Sequence, residues 1–296
     1  MYCKGGIGLA HAHLFSDMIG AMWEQGRYVC VGLDPDTTNS KFARAVQAFS
    51  ELPPEQMFHL NCSVVEATCD VAGCFKPNAA FYERHGSAGL QALGQTVKYI
   101  RKVAPGTPII LDAKRGDIGR TNDGYVEAYL DLLGFDAITV HGYLGQESLG
   151  PFLARTDKGI IVMGLTSNPG AKEFQGLPLE SGDPLYLHVA KQVATKWNTG
   201  GNCWIVVGAT FPEEAGQIRQ AVGDGLPFLV PGVGTQGGEA DKVVPQVVYS
   251  AGAGGFVINS SSGIMFASGG PDRVEASRCE ALKLHGEIRA ALGLAA

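Results

Sequence analysis

The chain has 296 residues, enough for one large barrel or two ordinary domains, and its 45% hydrophobic and 18% charged residues are those of a soluble globular protein. A formal net charge of −6 argues against non-specific nucleic-acid binding, which needs a basic surface. No apolar run approaches the roughly 18 residues of a membrane span, and the first residues lack the charged-then-apolar pattern of a secretion signal.

In chain order, a helix-like segment over Leu14–Gln25 precedes a first strand at Tyr28–Leu33 and is placed to plug one mouth of a barrel. The connection to the second strand is long, with helical stretches at Lys41–Leu52 and Gln56–Asp70 separated by Pro53-Pro54, which should stop the first of them. Further strands are expected at Val71–Lys76, Pro108–Ala113, Phe135–Val140, Gly159–Gly164, Cys203–Val207, Pro227–Val230 and Gly255–Asn259. Between them lie helix-like segments such as Leu90–Val103, Tyr125–Leu133, Leu185–Trp197, Glu213–Val222 and Ala240–Tyr249, and a helix over Arg273–Leu292 closes the chain. Apolar strands alternating with helices imply parallel β-α units, and about eight of them imply a single (β/α)8 TIM barrel over residues 1–296, with an N-terminal and a C-terminal helix. An open doubly wound sheet is the runner-up.

Seven cysteines (Cys3, Cys30, Cys62, Cys69, Cys74, Cys203 and Cys279) include no Cys-x-x-Cys pair, and the odd count fits no complete disulfide framework. A reducing, cytoplasmic setting follows, with Cys30, Cys74 and Cys203 as small buried hydrophobes in strand-like runs. His11 and His13, near the terminus, read as solvated groups rather than metal ligands.

In a (β/α)8 barrel the C-terminal strand ends and the loops after them carry function. Polar residues gather there: Asp34 after strand one, Lys76 and Asn78 after strand two, Asp112 and Lys114 at the end of strand three, His141 after strand four, and Ser167-Asn168-Pro169 after strand five. The most informative stretch is Asp112-Ala113-Lys114-Arg115-Gly116-Asp117. Alternate side chains of a strand share a face, so Asp112 and Lys114 point the same way, with Asp117 in the next loop. Neighbouring negative charge favours a charged ammonium, the right state for a proton donor and the wrong one for a Schiff-base nucleophile. The glycine-rich run Pro231-Gly232-Val233-Gly234-Thr235-Gln236-Gly237-Gly238 lets backbone N–H groups approach a phosphate, and a helix starting near Gly238 would add its positive end. Strand eight runs into Ser260-Ser261-Ser262-Gly263, the other usual phosphate loop of such barrels. No Walker-type phosphate loop and no dense set of metal ligands is present in the sequence.

These segments together resemble the orotidine 5′-phosphate decarboxylase family, in its longer bacterial subgroup. The resemblance rests on Asp112-x-Lys114-x-x-Asp117-Ile118-x-x-Thr121 and, in order, on Val31-Gly32-Leu33-Asp34-Pro35-Asp36, Phe75-Lys76-Pro77-Asn78, Leu165-Thr166-Ser167-Asn168-Pro169-Gly170 and the Pro231–Gly238 run; it spans Tyr28 to Ile264. It implies removal of carbon dioxide from orotidine 5′-phosphate to give uridine 5′-phosphate, without cofactor or metal, by a homodimer with shared active sites. Lys114 would protonate C6, Asp112 would sit beside the departing carboxylate, and Lys76 would complete an alternating Lys-Asp-Lys-Asp chain. Asp117, with Ile118 and Thr121, would enter the partner subunit's site. Asp34 would bind the ribose, Ser167 the pyrimidine edge, and Gln236 the phosphate, with Pro231, Gly237, Ser261 and Ser262 as further substrate-binding positions. One departure stands out: the family carries a phosphate-binding arginine where this chain has Ser262, and Arg273 or Arg278 are candidates to replace it. The motif alone is shared with related enzymes that act on a keto-sugar phosphate with Mg²⁺, and a non-catalytic phosphate-binding barrel is the remaining alternative.

Overall fold

The computed structural model describes residues 14–46, 52–234 and 237–294. Eight strands run in parallel: β1 (Val29–Leu33), β2 (Ala72–Pro77), β3 (Ile110–Arg115), β4 (Ala137–Val140), β5 (Gly159–Leu165), β6 (Cys203–Val207), β7 (Phe228–Pro231) and β8 (Phe256–Ser260). The ladder runs from β2 through β1 and β8 down to β3. Two isolated parallel bridges, Phe75 with Ile109 and Asn78 with Asp112, join β2 to β3 at the seam, so the sheet curls into a barrel. The expected (β/α)8 architecture is therefore present, and the open-sheet alternative is overturned.

The period of two in the strands decides which side chains meet. In β6, Cys203, Ile205 and Val207 face the surrounding helices, while Trp204 faces the interior. The lower interior is apolar: Cys30, Cys74, Ile110, Ala137, Ile161, Trp204, Leu229 and Val257 pack together. The expected burial of Cys30, Cys74 and Cys203 holds, each with 0% exposure. Helix Phe15–Glu24 closes this end as the sequence suggests, inserting Phe15 and Ile19 into the same cluster. Phe15 and Trp23 lie 5.3 and 5.7 Å from the Trp204 ring, and Trp23 Nε1 donates to the Phe256 carbonyl at 2.9 Å. Burying two such side chains contributes about 1.5–3 kcal/mol each. Gly159 is required beneath them, because a Cβ there would overlap the Phe15 ring.

Several boundaries differ from expectation. Pro53 and Pro54 do not simply stop a preceding helix; they open the helix Pro53–Thr68, where a missing N–H leaves no bond unmade. Of the expected Lys41–Leu52 helix, one turn is seen at Phe42–Ala45, and residues 47–51 lie outside the described residues. The segment expected as Tyr125–Leu133 begins earlier, at Gly119, and from Val126 to Leu132 it is wound as a π-helix. Val193–Trp197 is wound the same way. Among the described residues no helix is long and apolar enough to cross a membrane.

Candidate active site

At the C-terminal ends of the strands the interior turns polar around a cavity of about 410 Å³. Inward-facing Lys76 from β2 and Asp112 and Lys114 from β3 meet there. Lys76 Nζ lies 3.0 Å from Asp112 Oδ2, and Lys114 Nζ lies 2.6 Å from Asp112 Oδ1. Lys76 is buried at 3% exposure, so it does not snorkel to solvent, whereas the Lys114 side chain is 49% exposed. Thr139 on β4 donates to Asp112 Oδ1 at 3.1 Å, and Asn78 Nδ2 approaches Oδ2 at 3.4 Å. Burial favours the neutral form of Asp112, but the two ammonium groups outweigh it and hold its pKa well below the usual carboxylate range. Burial likewise opposes the charge on Lys76, yet Asp112 and Asp34 raise its pKa above that of an ordinary lysine. The array is a fixed carboxylate between two ammonium groups.

Asp34 stands at the end of β1, facing the same cavity. Burial raises its pKa, against the Lys76 charge and a hydrogen bond from Ser261, and its Oδ1 is buried without a hydrogen-bond partner. An acceptor held this way is ready for a hydroxyl donor. Ser167, Pro231, Ser261 and Ser262 line the cavity as well. Asn259, 6% exposed, ties this rim together: its Nδ2 donates to the Cys30 carbonyl at 3.0 Å, while its Oδ1 lies 3.4 Å from Ser261 Oγ. The Gly-rich turn after β7 is closed by Gly238 N donating to Gly232 O at 3.1 Å, and the next helix starts at Ala240. Among the described residues, the cations lining the cavity are Lys76 and Lys114, both bonded to Asp112.

Other expected site residues stand elsewhere. Asp117, Ile118 and Thr121 lie past the end of β3 and do not line this chain's cavity; Ile118 is 60% exposed. Asp117 is set by Asn122, whose side chain bonds both its N–H and its carbonyl. Gly237 is in the turn at φ +87° but is not among the lining residues. Gln236, like His11 and His13, lies outside the described residues. His141 packs against Gly116 rather than lining the cavity. Arg278 is engaged by Asp70 at 2.8 Å, and neither it nor Arg273 reaches the lining. Thr139 was missed by sequence reasoning, although the alternation of Ala137 and Thr139 with Ile138 and Val140 already turns it inward.

Residues 27–278 match the family model described as the orotidine 5′-phosphate decarboxylase / HUMPS family. An orotidine 5′-phosphate decarboxylase from Bordetella petrii is 42% identical over 276 residues, covering 93% of this chain and 98% of that protein. The chain belongs to this family. Among solved structures, the OMP decarboxylase of Leishmania donovani superimposes with a TM-score of 0.80 at 32% identity, covering 95% of this chain and all of that one. The UMP synthase of the same organism gives a TM-score of 0.82 at 34% identity; there the match covers 94% of this chain and 56% of the longer one.

Proposed function

We propose that the chain converts orotidine 5′-phosphate to uridine 5′-phosphate in pyrimidine synthesis, with Lys114 delivering the proton to C6. The observation that carries this reading is the Lys76–Asp112–Lys114 array on the cavity wall. Loss of carbon dioxide leaves an electron pair in the plane of the ring, where no π system delocalises it. A fixed ammonium beside that carbon stabilises the developing charge, most strongly where water is excluded. Lys114 is read as the donor because its side chain is the accessible one of the two lysines, at 49% exposure, whereas Lys76 is 3% exposed. A substrate carboxylate brought beside Asp112 is repelled, and the repulsion ends as carbon dioxide departs. Asp34 takes the ribose hydroxyls, and Ser167 takes the pyrimidine edge. Pro231, Ser261 and Ser262 on the cavity wall and Gly237 in the turn after β7 are further substrate-binding positions, and Gln236 takes the phosphate, whose remote binding supports the chemical step. The cavity volume suits a nucleotide-sized ligand.

The active unit is a homodimer in the same reading. Asp117, Ile118 and Thr121 enter the partner subunit's cavity, which accords with their place outside their own. Apolar side chains exposed on the loops after β3, β4 and β5 support such a face: Ile118, Tyr143 at 76% exposure and Phe174 at 50%, the last two in ring contact at 5.7 Å. A cytoplasmic setting fits the buried free thiols.

The test is the loss of orotidine 5′-phosphate absorbance with purified protein. Turnover undiminished in excess chelator is expected; a requirement for Mg²⁺ would favour action on a keto-sugar phosphate, and no turnover would favour a binding barrel. Lys114→Ala should lower kcat by at least the roughly 10²–10⁴-fold of a lost general acid while uridine 5′-phosphate still binds. Near-normal turnover in that variant sinks the assignment of Lys114.

A further inference from the structure

Lys114 is the one described residue other than glycine with a positive φ, +49°. A side chain in the left-handed region is strained and persists only where the surroundings over-determine it. The β3–β4 register shows how the strain arises. Leu111 pairs with Ile138 and Arg115 with Val140, so Asp112, Ala113 and Lys114 together oppose Thr139 alone. This bulge aims Lys114 at Asp112.

The peptide plane between Ala113 and Lys114 is held at both ends. Its N–H donates to Thr139 Oγ1 at 2.9 Å, and the same oxygen accepts the Ala113 N–H at 3.0 Å. Its carbonyl, that of Ala113, accepts from Arg115 Nη1 at 2.9 Å. The Arg115 guanidinium is itself fixed. Nη2 donates to Glu83 and, at 2.8 Å, to Tyr129 Oη, and Tyr129 donates in turn to Glu83 Oε1 at 3.1 Å. The Tyr125 and Tyr129 rings lie 5.5 and 5.4 Å from its Cζ. The Arg115 carbonyl accepts from His141 N at 2.9 Å, which pins the strand just past the bulge. None of Arg115, Glu83, Tyr125 and Tyr129 lines the cavity.

We infer that Arg115, locked by Glu83 and Tyr129, is a positioning residue: it holds the Ala113 carbonyl so that the strained Lys114 keeps its ammonium on Asp112 at the reacting carbon. A planar guanidinium suits this because it serves several acceptors in one plane, which a lysine cannot do. A half-exposed Lys114 has little packing of its own to fix it, so its aim depends on the backbone. The inference rests on the reading of Lys114 as the proton donor.

The test compares Arg115→Met, Glu83→Gln and Tyr129→Phe with Lys114→Ala. Misplacement of a catalytic group by about 1 Å costs up to roughly 10²-fold. Arg115→Met should therefore lower kcat some ten- to a hundredfold, with KM and uridine 5′-phosphate affinity changed less than about threefold. Tyr129→Phe, which keeps the ring and is the safer fold, should lower kcat several-fold with KM unchanged. Glu83→Gln, which keeps an acceptor for Arg115, should fall between wild type and Arg115→Met. Arg115→Lys should recover only part of the loss. A merely structural role would instead lower melting temperature and active fraction without splitting kcat from KM, and that result overturns the inference. So does unchanged kcat in folded Arg115→Met, or in folded Tyr129→Phe and Glu83→Gln if Arg115→Met does not fold. If Lys114→Ala is inactive while those variants are unaffected, only the positioning role fails; if Lys114→Ala turns over normally, the donor reading fails.

Discussion

Burial raises the pKa of Asp34 by more than the Lys76 charge and the Ser261 hydroxyl lower it. A carboxyl with a raised folded pKa costs stability where it ionises: nothing below its unfolded value of about 3.9, and the full amount once pH has passed the folded value. Asp112 has the opposite sign, since its folded pKa is depressed; its stabilisation is present above the ordinary carboxylate range and is lost as pH falls. Asp34→Asn should therefore raise the melting temperature at pH 7, with the gain shrinking toward zero as pH approaches about 4. Uridine 5′-phosphate binding should weaken about ten- to a hundredfold, the range of a lost charge-assisted hydrogen bond. Thermal melts across pH 4–8 check the first effect; a gain independent of pH would show that the charge is not its source. Ser262 belongs to the same scale. No arginine lines the cavity among the described residues, so Ser262→Arg should tighten uridine 5′-phosphate binding by roughly tenfold to a hundredfold, less at high salt. Titrating wild type and variant with uridine 5′-phosphate and with uridine decides it; an unchanged phosphate-dependent difference means that hydroxyl and backbone donors already suffice.

At the scale of elements, β1 and the loop after β8 meet so closely that one glycine sets the geometry of the rim. A Cβ on Gly32 would lie 2.7 Å from the Ser261 backbone Cα, so the loop carrying Ser261 and Ser262 would have to move. Gly32→Ala is expected to fold with a lowered melting temperature and to weaken uridine 5′-phosphate binding by at least about tenfold. Isothermal titration beside a thermal melt checks this; full affinity would mean that the loop moves without cost. The β3–β4 bulge shows the same dependence on neighbours. Period-two reasoning correctly puts Asp112 and Lys114 on one side, yet it treats β3 as a regular strand. Thr139 accepting two successive N–H groups makes the bulge, and Thr139 lies some 25 residues further along the chain.

The whole molecule decides whether one chain suffices. Asp117, in the loop after β3, does not line its own cavity, and Asn122, bonded to the Ser148 carbonyl at 2.6 Å, anchors that loop. Mixing inactive Asp117→Ala with inactive Lys114→Ala should restore activity in heterodimers, because one of their two sites then carries neither lesion. Activity is read after subunit exchange, with heterodimers verified by mass; none recovered in verified heterodimers would place Asp117 outside the shared site.

Much of this protein was legible without its structure, for reasons that are local. The strands are short apolar runs set off by polar and turn residues, so their places in the chain are legible; in a run apolar throughout, such as Cys203–Val207, which side chains face the interior is not. The polar rim is legible because each strand ends where apolar residues give way to Asp34, Lys76, Asp112 or Ser167. What only tertiary structure decided depends on pairs distant in sequence. Among these are the two-lysine clasp on Asp112, the Thr139 and Arg115 bonds that hold the strained Lys114, the place of Asp117 outside its own cavity and the separation of Arg278 from the lining. Each is set by how neighbouring strands register and how close their side chains come, and register between strands is fixed by packing over the whole barrel rather than by any one segment.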